Sequence, residues 1–295
     1  MDQPSPTELP PLALTFPDPT MIESADGTAI AAYDLGGDGA DMVMVHATGF
    51  CAGVWGPVAS RLAGHRRAAL DIRGHGRSAA AAAGMHWDGT AQDVLATIDA
   101  LGLDQPFGVG HSMGGASLVL AELARPGTFR GLWIYEPIIF PPMPPDAPHT
   151  GNFLADGARR RRAEFPSAGA AYQNFAGKPP FSALDPAALA AYVTDGFETL
   201  DDGRVQLRCR PEIEAQTYEM GGRHDAFVHL GELRCPVTVA RGHSEVPGPA
   251  ALAGPIAQAI PSGVLEEHPE LGHFGPLEQP STIAESIDAA VTASS

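Results

Sequence analysis

Residues 107–111, Phe107-Gly108-Val109-Gly110-His111, read as a short apolar strand that runs straight into a helix over residues 114–124. The reversal between them is Gly110-His111-Ser112-Met113-Gly114, a G-x-S-x-G pentapeptide. So sharp a turn needs glycine on both sides, because flanking side chains would collide, and it holds the serine hydroxyl clear of the sheet in a strained backbone conformation. The helix N-terminus just beyond offers unpaired N–H groups and a positive dipole to a developing oxyanion. As a bare pattern the pentapeptide is weak, with about 0.2 chance occurrences expected at this chain's Gly and Ser frequencies; its place between strand and helix gives it force. A strand that feeds directly into a helix is the repeating unit of a parallel sheet.

The rest of the chain keeps that rhythm. Two short strands surround an Asp-Gly turn within residues 21–33, and Met42-Val43-Met44-Val45 is a buried-strand run followed by a helical stretch near 55–63. Ala68-Ala69-Leu70 ends in the loop Asp71-Ile72-Arg73-Gly74-His75-Gly76-Arg77-Ser78. A helix spans about 90–101, with Val94, Leu95, Ile98 and Leu101 on one stripe and Gly102 closing it. Further strands fall at 132–135, 237–240 and 264–266, and further helices at 250–259 and 281–291. The pattern predicts a mostly parallel sheet with helices on both faces. Six prolines within residues 1–19 mark an extended or poorly ordered N-terminal arm. Residues 20–137 and 231–295 form the core, and 138–230, with short helical patterns at 153–164 and 186–197, reads as a helical lid inserted on the sheet.

Charge narrows the partners. With 18 Lys+Arg against 35 Asp+Glu the formal net charge is −17, a field that repels nucleic acid and anionic membrane. Cys51, Cys209 and Cys235 are scattered and form no C-x-x-C pair, so neither a disulfide framework nor a thiolate zinc site is expected. The first residues lack the basic and apolar regions of a signal peptide, and no apolar run is long enough to span a bilayer. A cytoplasmic monomer or homodimer acting on a small molecule, with no cofactor and no metal, is the expectation.

A serine hydroxyl needs a base, and the base needs an orienting carboxylate. Among eleven histidines, His273 lies in a loop after the last strand and before the last helix, at the same sheet edge as Ser112. His111 reads as a packing or hydrogen-bonding neighbour, His75 as structural, and His46 as a support of the loop after the third strand. Two carboxylates compete for the third role. Glu245 follows the strand at 237–240 and gives the chain order Ser…Glu…His; Glu136 ends the preceding strand in Ile134-Tyr135-Glu136-Pro137.

Four ordered motifs resemble the α/β-hydrolase fold, specifically its lid-bearing serine esterase and haloperoxidase-like group. They are His46-Ala47-Thr48-Gly49-Phe50, the 71–78 loop, residues 110–115, and Gly272-His273-Phe274 with Glu278 and Pro280. Alanine stands at 47 where the family has glycine, and glutamate at 245 where it more often has aspartate. The resemblance spans residues 21–292 apart from the lid, and it implies an α/β fold built on an eight-stranded, mostly parallel sheet. It also implies Ser112 as nucleophile, His273 as base, Glu245 or alternatively Glu136 as acid, and an oxyanion hole from the N–H groups of Met113 and Thr48. His46, Phe50, His111, Trp133 and Phe274 are candidate substrate contacts. The reaction expected is hydrolysis of a small carboxylic ester or lactone through an acyl-enzyme. The alternatives are C–C bond or thioester hydrolysis on the same triad, or a non-hydrolytic lyase or ligand-binding role. Lid aromatics such as Phe153, Phe165, Tyr172, Phe175, Phe181, Tyr192 and Phe197, with Met143 nearby, either line an apolar pocket or form the lid's own core. The run Arg159-Arg160-Arg161-Arg162 reads either as a solvated face or as a grip for a substrate carboxylate.

Overall fold

The Asp-Gly turn near the N-terminus closes a hairpin, with Gly27 at φ 79° between strands β1 (Thr20–Glu23) and β2 (Ala29–Asp34), which pair antiparallel. The computed structural model describes residues 8–142, 152–243 and 248–294 of the chain. After the hairpin come β3 (Asp41–Val45), the one-turn helix α1 (Gly56–Ala59), β4 (Arg66–Leu70) and α2 (Trp87–Leu101). β5 (Phe107–His111), α3 (Met113–Ala124) and β6 (Gly131–Tyr135) follow. Between β6 and the next core strand lie α4 (Phe153–Arg159), β7 (Glu164–Phe165), α5 (Ala168–Ala176), α6 (Pro186–Asp195), β8 (Phe197–Thr199), β9 (Val205–Leu207), α7 (Pro211–Met220) and α8 (Ala226–His229). The core resumes with β10 (Val237–Gly242), α9 (Pro249–Ala259), β11 (Gly263–His268), α10 (Gly275–Glu278) and α11 (Pro280–Ala293).

Eight strands form one sheet in the order β1-β2-β4-β3-β5-β6-β10-β11, antiparallel only at the β1–β2 and β2–β4 pairings. Strand alternation divides the core between the two faces. Val43 and Val45 pack with α2, α3 and α9, whereas Met42 and Met44 pack with Phe107, Val109, Trp133 and residues of α1 and α11. Helix α2 ends where its stripe does, at Gly102 in the left-handed conformation (φ 59°). In the N-terminal arm, Leu14 and Phe16 pack on the second of these clusters, Phe16 edge-on to Tyr33.

Two expectations need correction. The helix expected near 55–63 is one turn of 3₁₀ helix over Ala52–Trp55 followed by the four residues of α1. The segment between β6 and β10 is not purely helical: β7, β9 and β8 make a small antiparallel sheet. The physical reason is a switch of period. Val205 and Leu207 are buried with Gln206 between them, an alternation of two that suits a strand, and Gly203 at φ 84° turns the chain between β8 and β9. Likewise the helical pattern expected over 153–164 stops at Arg159, and Glu164 and Phe165 are already in a strand.

This segment packs on the loops at the carboxyl edge of the parallel strands. Phe165, Phe175, Leu189, Tyr192 and Leu207 share one apolar cluster with Ala47, Phe50, Cys51 and Val54 after β3 and with Leu277 of α10. The N–H of Asp185, which caps α6, donates to the carbonyl of Leu277 (2.8 Å).

Candidate active site

Ser112 sits between β5 and α3 with φ 54° and ψ −112°, a conformation that costs a non-glycine residue about 1–3 kcal/mol. Close packing enforces it. A side-chain carbon at Gly114 would lie 2.2 Å from the carbonyl oxygen of Val45, and one at Gly110 would lie 2.7 Å from the Cα of Gly115. The Ser112 N–H donates to Tyr135 O (2.9 Å), and its carbonyl accepts from Ala116 and Ile138 (3.2 Å each). Its hydroxyl does not cap α3, so it is not tied to the helix it precedes.

The loop carrying His273 is fixed through successive carbonyls. Leu271 O accepts from the His243 N–H (2.7 Å), Gly272 O from the Tyr135 hydroxyl (2.8 Å), and His273 O from His111 Nε2 (2.8 Å). The Glu278 carboxylate receives the Gly272 N–H at 2.8 Å. Side-chain carbons at Gly242 or Gly275 would come within 2.5 Å or 2.3 Å of the Tyr135 hydroxyl, so both glycines make room for it. The His273 ring ends 5.2 Å, centroid to centroid, from that of His111, the residue before Ser112.

His273 Nδ1 donates to Glu136 Oε2 at 2.6 Å, and Glu136 Oε1 accepts the Gly242 N–H at 2.9 Å. Both carboxylate oxygens are thereby engaged on a side chain only 2% exposed. Glu136 itself adopts φ 44°, a second strained position at a strand end, and its N–H donates to Ala240 O (2.9 Å). Glu245 lies in 244–247, outside the described residues.

Residues 47–50 form a tight turn in which the Phe50 N–H donates to Ala47 O (3.2 Å) and Gly49 supplies φ 78°. His46 braces it from below. Its Nε2 accepts the Ile72 N–H (3.0 Å), so Nδ1 carries the proton and donates to Ala47 O (2.8 Å). Both ring nitrogens are therefore occupied by backbone, and burial pushes the pKa of His46 down to about 4, which keeps it neutral. Burial and the His273 ring act likewise on His111, whose pKa falls well below the usual range. Asp71, from the 71–78 loop, accepts from the Ala52 N–H, the Tyr33 hydroxyl and the Arg77 N–H at 2.7–2.8 Å, tying that loop to the start of the 3₁₀ turn that precedes α1.

The geometry thus brings His273 onto Glu136 and against His111, the residue before Ser112, with Met113 opening α3 and Thr48 in the turn after β3. Phe50 and Phe274 face one another at 5.6 Å, and Phe274 is 5.3 Å from His273. As a substrate contact Trp133 is displaced: it is fully buried between the sheet and α11, with its indole N–H on Ser286 of α11 (2.8 Å). His46 is displaced too, since its ring holds the turn. Of the aromatics between β6 and β10, Phe165, Phe175 and Phe197 are buried within the segment's own cluster, Phe181 and Tyr192 reach Phe50, and Phe153 points to solvent. Met143 lies outside the described residues. Tyr135 and Gly242 escaped the sequence reading. Their only signal is position, at the carboxyl ends of neighbouring strands.

Among the described residues no group of three or more His, Cys, Asp or Glu is arranged to hold a metal, and no helix is long and apolar enough to cross a membrane.

Comparison with known proteins agrees with this architecture. The signature of the alpha/beta hydrolase family matches residues 42–286, most of the chain, and the protein belongs to that family. Among solved structures it is similar to an E-2-(acetamidomethylene)succinate hydrolase, with a TM-score of 0.77 and 21% identity over 94% of this chain and all of that one. It is also similar to an esterase from Exiguobacterium antarcticum, with a TM-score of 0.72 and 21% identity over 93% of this chain and 99% of that one. A stretch of 101 residues, 33% of this chain, is 41% identical to a dihydrolipoyllysine-residue acetyltransferase component of an acetoin cleaving system from Pseudomonas putida, and covers 27% of that protein.

Proposed function

We propose that the protein is a serine hydrolase of small carboxylic esters or lactones, in which Ser112 is the nucleophile, His273 the base and Glu136 the orienting acid. The observation that carries this reading is the 2.6 Å bond from His273 Nδ1 to a buried carboxylate, in a loop whose carbonyl is held by the neighbour of a strained serine. That bond fixes the tautomer with Nε2 unprotonated, the form that can take a proton from a hydroxyl.

In the first half-reaction Ser112 Oγ attacks the ester carbonyl carbon while its proton passes to His273 Nε2. The N–H groups of Met113 and Thr48 receive the oxyanion, and each such donor is typically worth about 2.7–4 kcal/mol of barrier. Collapse of the tetrahedral intermediate breaks the bond to the alcohol, which leaves with the proton from His273. Water, deprotonated by the same imidazole, then attacks the acyl-enzyme; the acyl–Oγ bond breaks, His273 returns the proton to Ser112 Oγ, and the acid leaves. Glu136 stabilises the imidazolium in both halves without itself taking the proton. The segment between β6 and β10 acts as the lid: Phe181, half-buried against Phe50 and Phe274, walls the pocket with apolar surface, and Tyr192 is buried behind it. The esterase and hydrolase among the structural relatives support this reaction class. A small-molecule substrate fits the acidic charge of −17, a field that repels polyanionic partners.

The test is turnover of a panel of short-chain esters, lactones and thioesters by the wild type and by Ser112→Ala. Loss of at least 10³-fold in kcat is expected. Unchanged turnover by Ser112→Ala removes the proposal.

A further inference from the structure

The four consecutive arginines divide three to one. Arg159 pairs with Glu212 (2.9 Å) and Glu219 (2.8 Å) of α7. Arg162 donates to the Glu164 carbonyl and covers the Phe165 ring at 4.5 Å, and Arg160 is exposed. Arg161 turns inward. Its Nη1 lies 2.6 Å from Glu214 Oε2, its Nη2 donates to the Tyr192 hydroxyl, and the guanidinium faces the rings of Phe175, Phe181 and Tyr192 at 5.4–5.8 Å. The two side chains are 16% and 8% exposed.

The pair lies against the turn that carries Thr48. A side-chain carbon at Gly49 would come 2.9 Å from Glu214 Oε1 and 3.4 Å from Arg161 Nη1. On its other side Phe181 stacks on Phe274 at 6.3 Å, and Phe274 adjoins His273. The ion pair therefore sits between the oxyanion turn and the aromatic wall leading to the proposed base.

An unpaired arginine in that place would recruit a carboxylate. Glu214 changes the balance. An anionic group approaching Arg161 would meet a like charge on the same guanidinium, and its lost hydration would go uncompensated in a nearly closed site. A neutral carbonyl or hydroxyl oxygen suffers neither penalty. The guanidinium has five N–H donors, of which Glu214 and Tyr192 use two, so donors remain for it.

Resting on the ester-hydrolase reading above, we propose that Glu214 is a specificity-determining residue. By neutralising Arg161 it makes this end of the pocket select esters whose acyl chain carries an uncharged oxygen and reject half-esters of dicarboxylic acids.

The experiment compares kcat/KM for methyl levulinate and monomethyl succinate, which differ by a ketone methyl in place of a carboxylate oxygen, with methyl valerate as the apolar control. The wild type is expected to favour methyl levulinate over monomethyl succinate at least tenfold, and Arg161→Met to lose the preference for levulinate over valerate. Glu214→Gln, which leaves Arg161 uncompensated, is expected to shift the levulinate-to-succinate ratio at least tenfold towards succinate, about 1.4 kcal/mol. A wild type that prefers monomethyl succinate overturns the proposal, and so does a folded Glu214→Gln whose ratio moves less than threefold. Should Glu214→Gln fail to fold by thermal melting, the wild-type ratio decides alone. Absence of turnover on all three esters, with no fluorophosphonate labelling of Ser112, removes the hydrolase reading and this proposal with it; turnover in the wrong order overturns the specificity claim alone.

Discussion

In the sequence Glu136 follows the strand at 132–135 and Glu245 follows the strand at 237–240, and from sequence either could reach the histidine. Chain order points to Glu245, which lies outside the described residues; among those described, the carboxylate within hydrogen-bond reach of His273 Nδ1 is that of Glu136, held at φ 44° with its other oxygen on the Gly242 N–H. Proximity across strands is set by register, which no local motif records. Glu136→Ala should lower kcat on a cleaved ester about 10³-fold or more, because the imidazole loses both its tautomer and its counter-charge, whereas Glu245→Ala should change it less than tenfold. Steady-state kinetics on the two variants checks this directly, and the reverse ranking returns the role to Glu245. Ser112 and His273 were legible because each sits in a short motif whose glycines shape it. Gly114 is the sharpest case: the 2.2 Å approach to Val45 O leaves no room for a methyl group. Gly114→Ala is expected to destabilise the fold by about 1–3 kcal/mol, read as a lowered midpoint in urea unfolding. An unchanged midpoint would mean that the elbow is looser than its packing indicates.

At the scale of elements, strands and helices of the core were readable because their periods are clean: alternation in β3, a 3.6-residue stripe closed by glycine in α2. The segment between β6 and β10 was less legible. Its short β7, β8 and β9 are stabilised by pairing with one another, and the contact of Arg161 with Glu214 joins residues 53 apart in sequence. Helix α6 illustrates how such contacts act. Its last residue, Asp195, lies against Gly53 beside α1, and burial together with the nearby Asp71 charge raises its pKa from 3.8 to about 6. A carboxyl with a raised folded pKa favours the fold while protonated, so its contribution is lost as pH rises from about 4 to about 6. Asp195→Asn should therefore stabilise the protein at pH 7.5, by up to ~3 kcal/mol, and have little effect at pH 4. Thermal melts at the two values test this; a variant less stable than wild type at pH 7.5 would contradict it.

For the whole molecule the buried histidines pull the other way. Burial lowers the pKa of both His46 and His75 to about 4, so each remains neutral in the fold while the unfolded chain gains a proton near 6.5. Stability from these two is complete above pH 6.5 and is lost as pH falls towards 4, about 3 kcal/mol for each. These two, with His111 lowered likewise by burial, outweigh the opposing Asp195 and Asp71, so the melting temperature should fall on acidification from pH 7 to pH 4.5. His75→Gln should flatten that slope, and a slope unchanged in the variant would count against the assignment.

The architecture matters for function in one respect above all: β5, β6 and the loop after β11 must deliver a hydroxyl, a carboxylate and an imidazole to one edge of the sheet. Reaction of the wild type and of His273→Ala with a fluorophosphonate, followed by peptide mapping, examines that convergence most directly. Rapid, stoichiometric modification of Ser112 in the wild type and at least 10³-fold slower modification in His273→Ala is the predicted result. Equal rates in the two proteins, or an adduct on any other residue, would contradict it.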